Sequence, residues 1–362
     1  MNVRMAEPNL EGNELKYVSE CVTTNWISSA GKFVKEFEEN FATFCGTTHA
    51  TSVSNGTTAL HLVLVALGIG PGDEVLVPAN TFGATAAVVK HAHATPVLVD
   101  IDKDTWNMSP EDAEKKITKH TKAIIPVHLY GVPADMDAIM ALAKKHNLNV
   151  IEDAAESHGA TYKGKRVGSI GDAGCFSFYG NKIITTGEGG MVVTNNAALH
   201  KAMTEIKNHG MTPEKRYWHD VVGYNYRLTN IQAAVGVAQL ERIESFLEKR
   251  EQIAAWYAEE LKGITGLRFQ QTPKDAKSVM WMYPLYLEKD FGMTRDELIE
   301  KLTAAGIDNR KSFASLHTMP PYKSEGDFSV SQSVADNALV LPLHVGMTKE
   351  DVKAVCQVIR GK

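Results

Sequence analysis

The sequence predicts an α/β protein: a large domain over residues 1–248 with a mostly parallel central sheet, then a smaller α+β domain over 249–362. Three observations carry this. Apolar or β-branched segments at 50–54, 74–77, 96–99, 123–127 and 149–151 alternate with helical patterns at 57–67, 82–92, 110–118 and 134–146. Such alternation belongs to parallel sheets covered by helices on both faces. The polar clusters Asn55-Gly56-Thr57-Thr58 and Asn80-Thr81-Phe82, and Asp153 further on, each follow the end of an apolar segment, where parallel sheets bind their ligands. Near residue 250 the regular alternation stops.

At 362 residues the chain is long enough for about two domains. Its 38 basic and 43 acidic residues leave a net charge of −5, which argues against a general nucleic-acid or membrane binder. Cys21, Cys45, Cys175 and Cys356 show no paired spacing and read as reduced, buried thiols. Met1-Asn2-Val3-Arg4 opens no apolar signal segment, and no run of about 18 apolar residues is present to span a bilayer. A soluble, cytoplasmic protein is expected.

In chain order, 11–24 and 31–45 read as helices. Phe33, Val34, Phe37, Phe41 and Phe44 mark one apolar face of the second. Trp26, in the loop between them, suits either an anchor for the helix pair or one wall of a substrate pocket. Asn55-Gly56-Thr57-Thr58 opens a helix directly after a strand, which suits either a phosphate seat on free N–H groups or a plain N-cap. Gly68-Ile69-Gly70-Pro71-Gly72 has the look of a dinucleotide fingerprint, but it follows a helix and contains a proline, so it is a turn. His91-Ala92-His93 lacks further ligands at a usual spacing, and no metal site is expected. Residues 197–209 are helical, and 229–262 form one long or broken helix. The second unit has a strand at 279–287, a helix at 295–305, a strand near 307–313 and helices at 331–340 and 348–359.

The chemistry concentrates in residues 151–194. Glu152-Asp153 closes an apolar strand, and a short strand, Cys175-Phe176-Ser177-Phe178, leads to Lys182 after a Gly180-Asn181 turn. Gly187-Glu188-Gly189-Gly190 then opens a last strand. An aldehyde cofactor with a basic ring nitrogen and a phosphate needs these groups: a carboxylate for the nitrogen, an amine for the aldehyde, hydroxyls and free N–H groups for the phosphate. The stretch reads as a site for pyridoxal 5'-phosphate. Lys182 is then the catalytic lysine, bonded to the aldehyde and able to carry a proton between carbons. Asp153 pairs with the ring nitrogen, and Gly56, Thr57 and Ser177 hold the phosphate. Phe82 stacks on the ring or serves as a core phenylalanine. Glu156 faces the phenolic oxygen, with its ionisation open because two anionic oxygens there must share a proton. Arg216, Trp218 and His219 suit a diphosphate and a flat base or sugar, or else a charged surface loop.

The run EDAAESHGATYKGK…GSIGD…FSFYGNKIITTGEGGMVVTN resembles the DegT/StrS family of nucleotide-sugar aminotransferases. SNGTTALHL, GDEVLVPANTF, VHLYG, GYNYRLTNIQAAVGVAQL and LHTMPPY extend the resemblance over nearly the whole chain. It implies the aspartate-aminotransferase-like fold, which is fold type I among pyridoxal-phosphate enzymes. It also implies L-glutamate as amino donor and a homodimer with active sites at the subunit interface, where Asn225 reaches the phosphate of the other subunit's cofactor. WISSAG, the acidic Glu156 and YWHDVVGYNYRLTN most resemble the branch acting on GDP-linked 4-keto-6-deoxymannose (GDP-4-dehydro-6-deoxy-D-mannose). One branch, the sugar 3-dehydratases, has histidine in place of this lysine, so Lys182 favours transamination. A UDP- or dTDP-linked keto-sugar is the alternative, because the base-reading residues are not in the shared motifs. Trp26, Arg216, Trp218, His219, Arg310 and His317 are candidates for the sugar-nucleotide side. A binding protein without turnover is a further alternative, at odds with the intact Lys182 and Asp153.

Overall fold

The computed structural model describes residues 2–212, 214–215 and 217–361. Helices α1 (Glu14–Thr23) and α2 (Lys32–Cys45) come first. The second buries Phe33, Phe37 and Phe41 along one stripe and stops at Gly46, whose left-handed φ of 74° closes the last turn. Strands and helices then alternate: β1 (His49–Val53), α3 (Gly56–Ala66), β2 (Glu74–Pro78), α4 (Ala84–His91), β3 (Thr95–Val99), α5 (Pro110–Lys116), β4 (Thr121–Ile124), α6 (Met136–His146) and β5 (Asn149–Asp153). A hairpin of β6 (Thr161–Tyr162) and β7 (Lys165–Arg166) precedes β8 (Ala173–Ser177) and β9 (Gly190–Thr194). Three helices follow, α7 (Ala197–Ile206), α8 (Asn230–Leu240) and α9 (Ile243–Leu261). The rest comprises β10 (Leu267–Phe269), β11 (Ala276–Lys277), β12 (Tyr283–Leu287), α10 (Arg295–Ala304), β13 (Arg310–Lys311), α11 (Ser329–Asn337), β14 (Ala338–Leu341) and α12 (Lys349–Ile359).

The central sheet has the order β1-β9-β8-β5-β4-β2-β3. Strands β3, β2, β4, β5 and β8 pair in parallel, and β9 runs against both its neighbours. Leu76, Ile124, Val150, Phe176 and Val193 enter one core, while Val75, Val77, Ala123, Ile151, Cys175 and Val192 enter the other. Successive strand residues point to opposite faces, so a sheet covered on both sides is apolar at every position. That explains the unbroken apolar runs.

A smaller antiparallel sheet has the order β10-β12-β14-β13. Its core joins Leu285, Leu339 and Leu341 to Ile253, Tyr257 and Leu261 of α9 and to Val352, Val355 and Ile359 of α12. Helix α9 passes unbroken through residues 248 and 249, with Ile243 and Phe246 in the large core and Ile253 onward in the small one. Val3 belongs to the small core as well, and its N–H donates to the Gly306 carbonyl at 3.0 Å.

Several elements differ from expectation. Only Tyr283–Leu287 of 279–287 is strand. The N–H groups of Val279 and Trp281 donate instead to the Gly131 and Tyr130 carbonyls, at 3.2 and 3.0 Å, which draws that segment towards the large sheet. The helix expected over 331–340 ends at Asn337, and Ala338–Leu341 is β14 inside the small sheet; periodicity does not tell a four-residue apolar run in a strand from a helix end. Of the two forms expected for 229–262, the broken one holds, as α8 and α9, and within 307–313 only Arg310–Lys311 is strand, while Ile307 forms an isolated bridge with Val3.

Asn230, at the start of α8, donates to the Trp26 carbonyl at 2.6 Å and accepts from the Phe33 N–H at 3.0 Å. It thus caps α2 from another helix. Asn230→Ala is expected to cost about 1–3 kcal/mol, seen as a lower urea midpoint with an unchanged slope.

Candidate active site

Strand β5 ends on Asp153, at the carboxyl edge where open sheets bind ligands. Thr85 Oγ1 donates to its Oδ2 at 2.8 Å, and the Ala155 N–H donates to Oδ1 at 3.2 Å. Burial pushes this carboxyl above its ordinary range, and the Thr85 bond pulls it back. A buried carboxylate with two donors is still short of its aqueous solvation. A cation bound in the adjoining cavity would make up the difference.

Strand β8 delivers Lys182 through a turn in which its N–H donates to the Tyr179 carbonyl at 2.9 Å. Its Nζ lies 3.8 Å from Glu156 Oε1 and 3.9 Å from the centroid of the Trp281 ring. Burial pushes the amine below its ordinary range, opposed by Glu156 and Asp153. Such a lysine is nearer to a free nucleophile than a solvated one.

Glu156 Oε2 accepts the Tyr130 N–H at 2.8 Å. Burial raises the Glu156 carboxyl from 4.5 to about 7, against the pull of Lys182. Tyr130 offers its N–H from a left-handed backbone, φ 54°, a conformation costing a tyrosine about 1–3 kcal/mol. Neighbours hold it there. Its carbonyl accepts the Trp281 N–H, its hydroxyl lies 3.2 Å from Ser312 Oγ, and its ring stacks on Phe313 with centroids 5.5 Å apart.

The start of α3 has the geometry an anion seat requires. Asn55 Oδ1 accepts the Thr58 N–H at 2.8 Å, and Thr58 Oγ1 accepts the Asn55 N–H at 3.2 Å. The N–H groups of Gly56 and Thr57, in the first turn, have no acceptor within the helix and point along its dipole. A Cβ on Gly56 would sit 2.8 Å from the Ser177 Cβ. Glycine lets the helix start and the end of β8 come close enough to share one anion.

Gly56, Thr57, Ser177, Asp153, Glu156 and Lys182 all border one cavity of about 810 Å³. Phe82 and Arg310 border it too. Trp26 does not; it borders a second cavity of about 360 Å³ beside Cys21, Phe33 and Asn230. Asn225, Trp218 and His219 are exposed and away from the Lys182 cavity of their own chain. Asn225 accepts from Arg227 Nε at 2.9 Å, Trp218 Nε1 donates to Asp220 at 2.9 Å, and His219 Nδ1 lies 2.8 Å from the His209 carbonyl. His317 is turned to Ser315 Oγ at 2.7 Å and stacks on Phe328 at 4.7 Å, also off the cavity. Arg216 lies outside the described residues. Reading the sequence missed the parts played by Thr85, Tyr130, Trp281 and Phe313. Only Tyr130 carried a sign, a bulky residue before Gly131 just past a strand end.

Residues 8–360 match the DegT/DnrJ/EryC1/StrS aminotransferase family. A GDP-perosamine synthase from Caulobacter vibrioides is 50% identical, over 98% of this chain and 96% of its own. One from Escherichia coli O157:H7 is 44% identical over 98% and 96%. The solved structure of the aminotransferase from Psychrobacter cryohalolentis shares 34% identity and a TM-score of 0.92, covering 98% of this chain and 97% of that one. Such a family implies pyridoxal phosphate, and the residues fit it: a buried carboxylate short of a cation, a buried amine, and an anion seat around one cavity.

Two outcomes are expected. Thr85→Val leaves Asp153 with one donor and weakens cofactor retention about 10- to 100-fold, measurable by titrating the cofactor-free protein; unchanged affinity removes Asp153 from its assigned role. Glu156 keeps its proton more tightly in the fold than in the unfolded chain, so its stabilising contribution is complete below pH 4.5 and lost as pH rises to about 7. Unfolding of the cofactor-free protein should therefore grow easier over that window, and Glu156→Gln should flatten this part of the stability profile.

Proposed function

The chain belongs to the DegT/DnrJ/EryC1/StrS aminotransferase family, and we propose that it moves the amino group of L-glutamate to the C4 ketone of GDP-4-dehydro-6-deoxy-D-mannose. The products are 2-oxoglutarate and GDP-perosamine. The observation carrying the chemistry is the buried Lys182 amine, 3.8 Å from the Glu156 carboxyl and in one cavity with Asp153. Support for the GDP-linked sugar is the 50% identity to a GDP-perosamine synthase over nearly the full chain.

Pyridoxal phosphate, when bound, supplies an aldehyde for amines and a ring that spreads the electron pair left behind when a substrate carbon loses its proton. Asp153, oriented by Thr85 and Ala155, keeps the ring nitrogen protonated. The Gly56 and Thr57 N–H groups and the Ser177 hydroxyl hold the phosphate. Phe82 covers a face of the ring. Lys182 would be the residue that holds the aldehyde. Its Nζ, when free, would be the base and acid that takes a proton from the substrate carbon and gives it back, for the glutamate and for the sugar alike. Glu156, near neutrality in its proton affinity, can hold or release a proton at the phenolic oxygen.

The active unit in this reading is a homodimer in the cytoplasm. Among the described residues no helix is long and apolar enough to cross a membrane. Asn225 serves the phosphate of the other subunit's cofactor; its exposure, away from its own cavity, suits that role. The exposed segment with Trp218 and His219 then lies near the nucleotide of that second site. Arg310 offers a guanidinium to an anionic group of the substrates.

Purified protein with pyridoxal phosphate and L-glutamate can be offered GDP-, UDP- and dTDP-linked 4-keto-6-deoxy sugars separately, with products read by mass spectrometry. An amino sugar from the GDP-linked ketone alone is expected. Turnover of a UDP or dTDP sugar instead reassigns the nucleotide, and no product from any overturns the reading. Lys182→Ala should lower transfer by at least about 10²- to 10⁴-fold and leave no cofactor attached after borohydride reduction.

A further inference from the structure

We propose that Trp281 is a positioning residue for Lys182: its indole face is where the lysine amine rests whenever it is not bonded to the cofactor. The inference rests on Lys182 being the proton-carrying residue of the reaction above. The amine nitrogen lies 3.9 Å from the indole centroid, over a face whose electrons attract a cation. On another side Glu156 Oε1 stands 3.8 Å away. The resting amine therefore lies between an aromatic face and a carboxyl group.

The ring itself is fixed. Its Nε1 donates to the carbonyl of Asn181, the residue just before Lys182, at 2.7 Å. Its backbone N–H donates to the Tyr130 carbonyl at 3.0 Å. Its carbonyl accepts from Arg250, whose buried guanidinium also holds the Leu343 carbonyl at 2.9 Å. Only 5% of Trp281 is exposed. A bond to the lysine's own turn ties the ring to the backbone from which the amine hangs, so the two keep register.

A freed lysine side chain has about 2 kcal/mol of rotamer entropy to spend elsewhere. A defined resting place keeps Nζ within reach of the reacting carbons. The indole face favours the ammonium, and burial favours the neutral amine. Their opposition suits a group that must both take and give a proton. Trp281 packs in the large core, and the segment that carries it, 279–282, leads directly into β12 of the small sheet.

The test uses Trp281→Leu, Trp281→Phe and site-specific fluorination of the Trp281 indole, which keeps its shape and weakens the charge on its face. In the holoenzyme, Trp281→Leu should lower kcat about tenfold, change KM for glutamate little, and move the pH profile of kcat. Trp281→Phe should recover most of the loss. In cofactor-free protein, acylation of Lys182 followed by mass spectrometry should speed up stepwise with each added fluorine, as the ammonium loses its stabilising face. Should the leucine variant fail to fold, the fluorinated series decides alone. Wild-type turnover with a flat response to fluorination, in both kcat and labelling, sinks the inference and leaves the aminotransferase reading standing. Absence of wild-type turnover sinks that reading first, while labelling still reports on the contact.

Discussion

Bringing an amine and two carboxyl groups out of water into one pocket is the constraint on which the rest of this structure depends. Lys182, Glu156 and Asp153 are each shifted by burial towards their neutral forms, and each is pulled back by the charge of another. None can be removed without changing what the others hold. Desolvation at this depth is offset only by well-placed partners, so much of the surrounding structure serves to place them. Thr85 and Ala155 orient Asp153, Tyr130 orients Glu156, and Trp281 faces Lys182.

Those partners come from widely separated parts of the chain. Tyr130 follows β4, Trp281 precedes β12, and Arg250 lies on α9, yet a continuous set of hydrogen bonds joins them behind the cavity. The left-handed backbone of Tyr130 persists because its carbonyl, hydroxyl and ring are all engaged. The boundary between the two cores is crossed at that point and along α9. Arg250 on α9 links the Trp281 carbonyl of the large core to the Leu343 carbonyl of the small one.

The anion seat follows a different rule, close approach instead of charge balance. A helix start offers N–H groups to any acceptor. At α3 the missing side chain of Gly56 lets Ser177 come close to the capped helix start, which would allow the two to share one anion. The capping box and the seat are therefore both present, since Asn55 and Thr58 satisfy each other and leave the N–H groups of Gly56 and Thr57 for a ligand.

Much of this was legible in the residues alone. The double burial of a parallel sheet writes apolar runs into β2, β4 and β5, and the sequence marks Asp153, Lys182, Gly56, Thr57 and Ser177 near strand and helix ends, which the fold brings to one cavity. The 338–341 run was misread because an apolar tetrapeptide suits a helix end or a strand equally, and 279–282 because the Val279 and Trp281 N–H groups go to the Gly131 and Tyr130 carbonyls instead of into the small sheet. Thr85, Trp281 and Phe313 left no local trace, because each acts on a group dozens of residues away. The turn away from the cavity taken by His317, and the separate cavity beside Trp26, were equally invisible. Sequence by itself determined the alternation, which follows from local periodicity, and the motifs that carry the family resemblance. Tertiary structure alone decided which buried charges meet and what stabilises each, because desolvation and Coulomb interaction depend on distance in space, not along the chain.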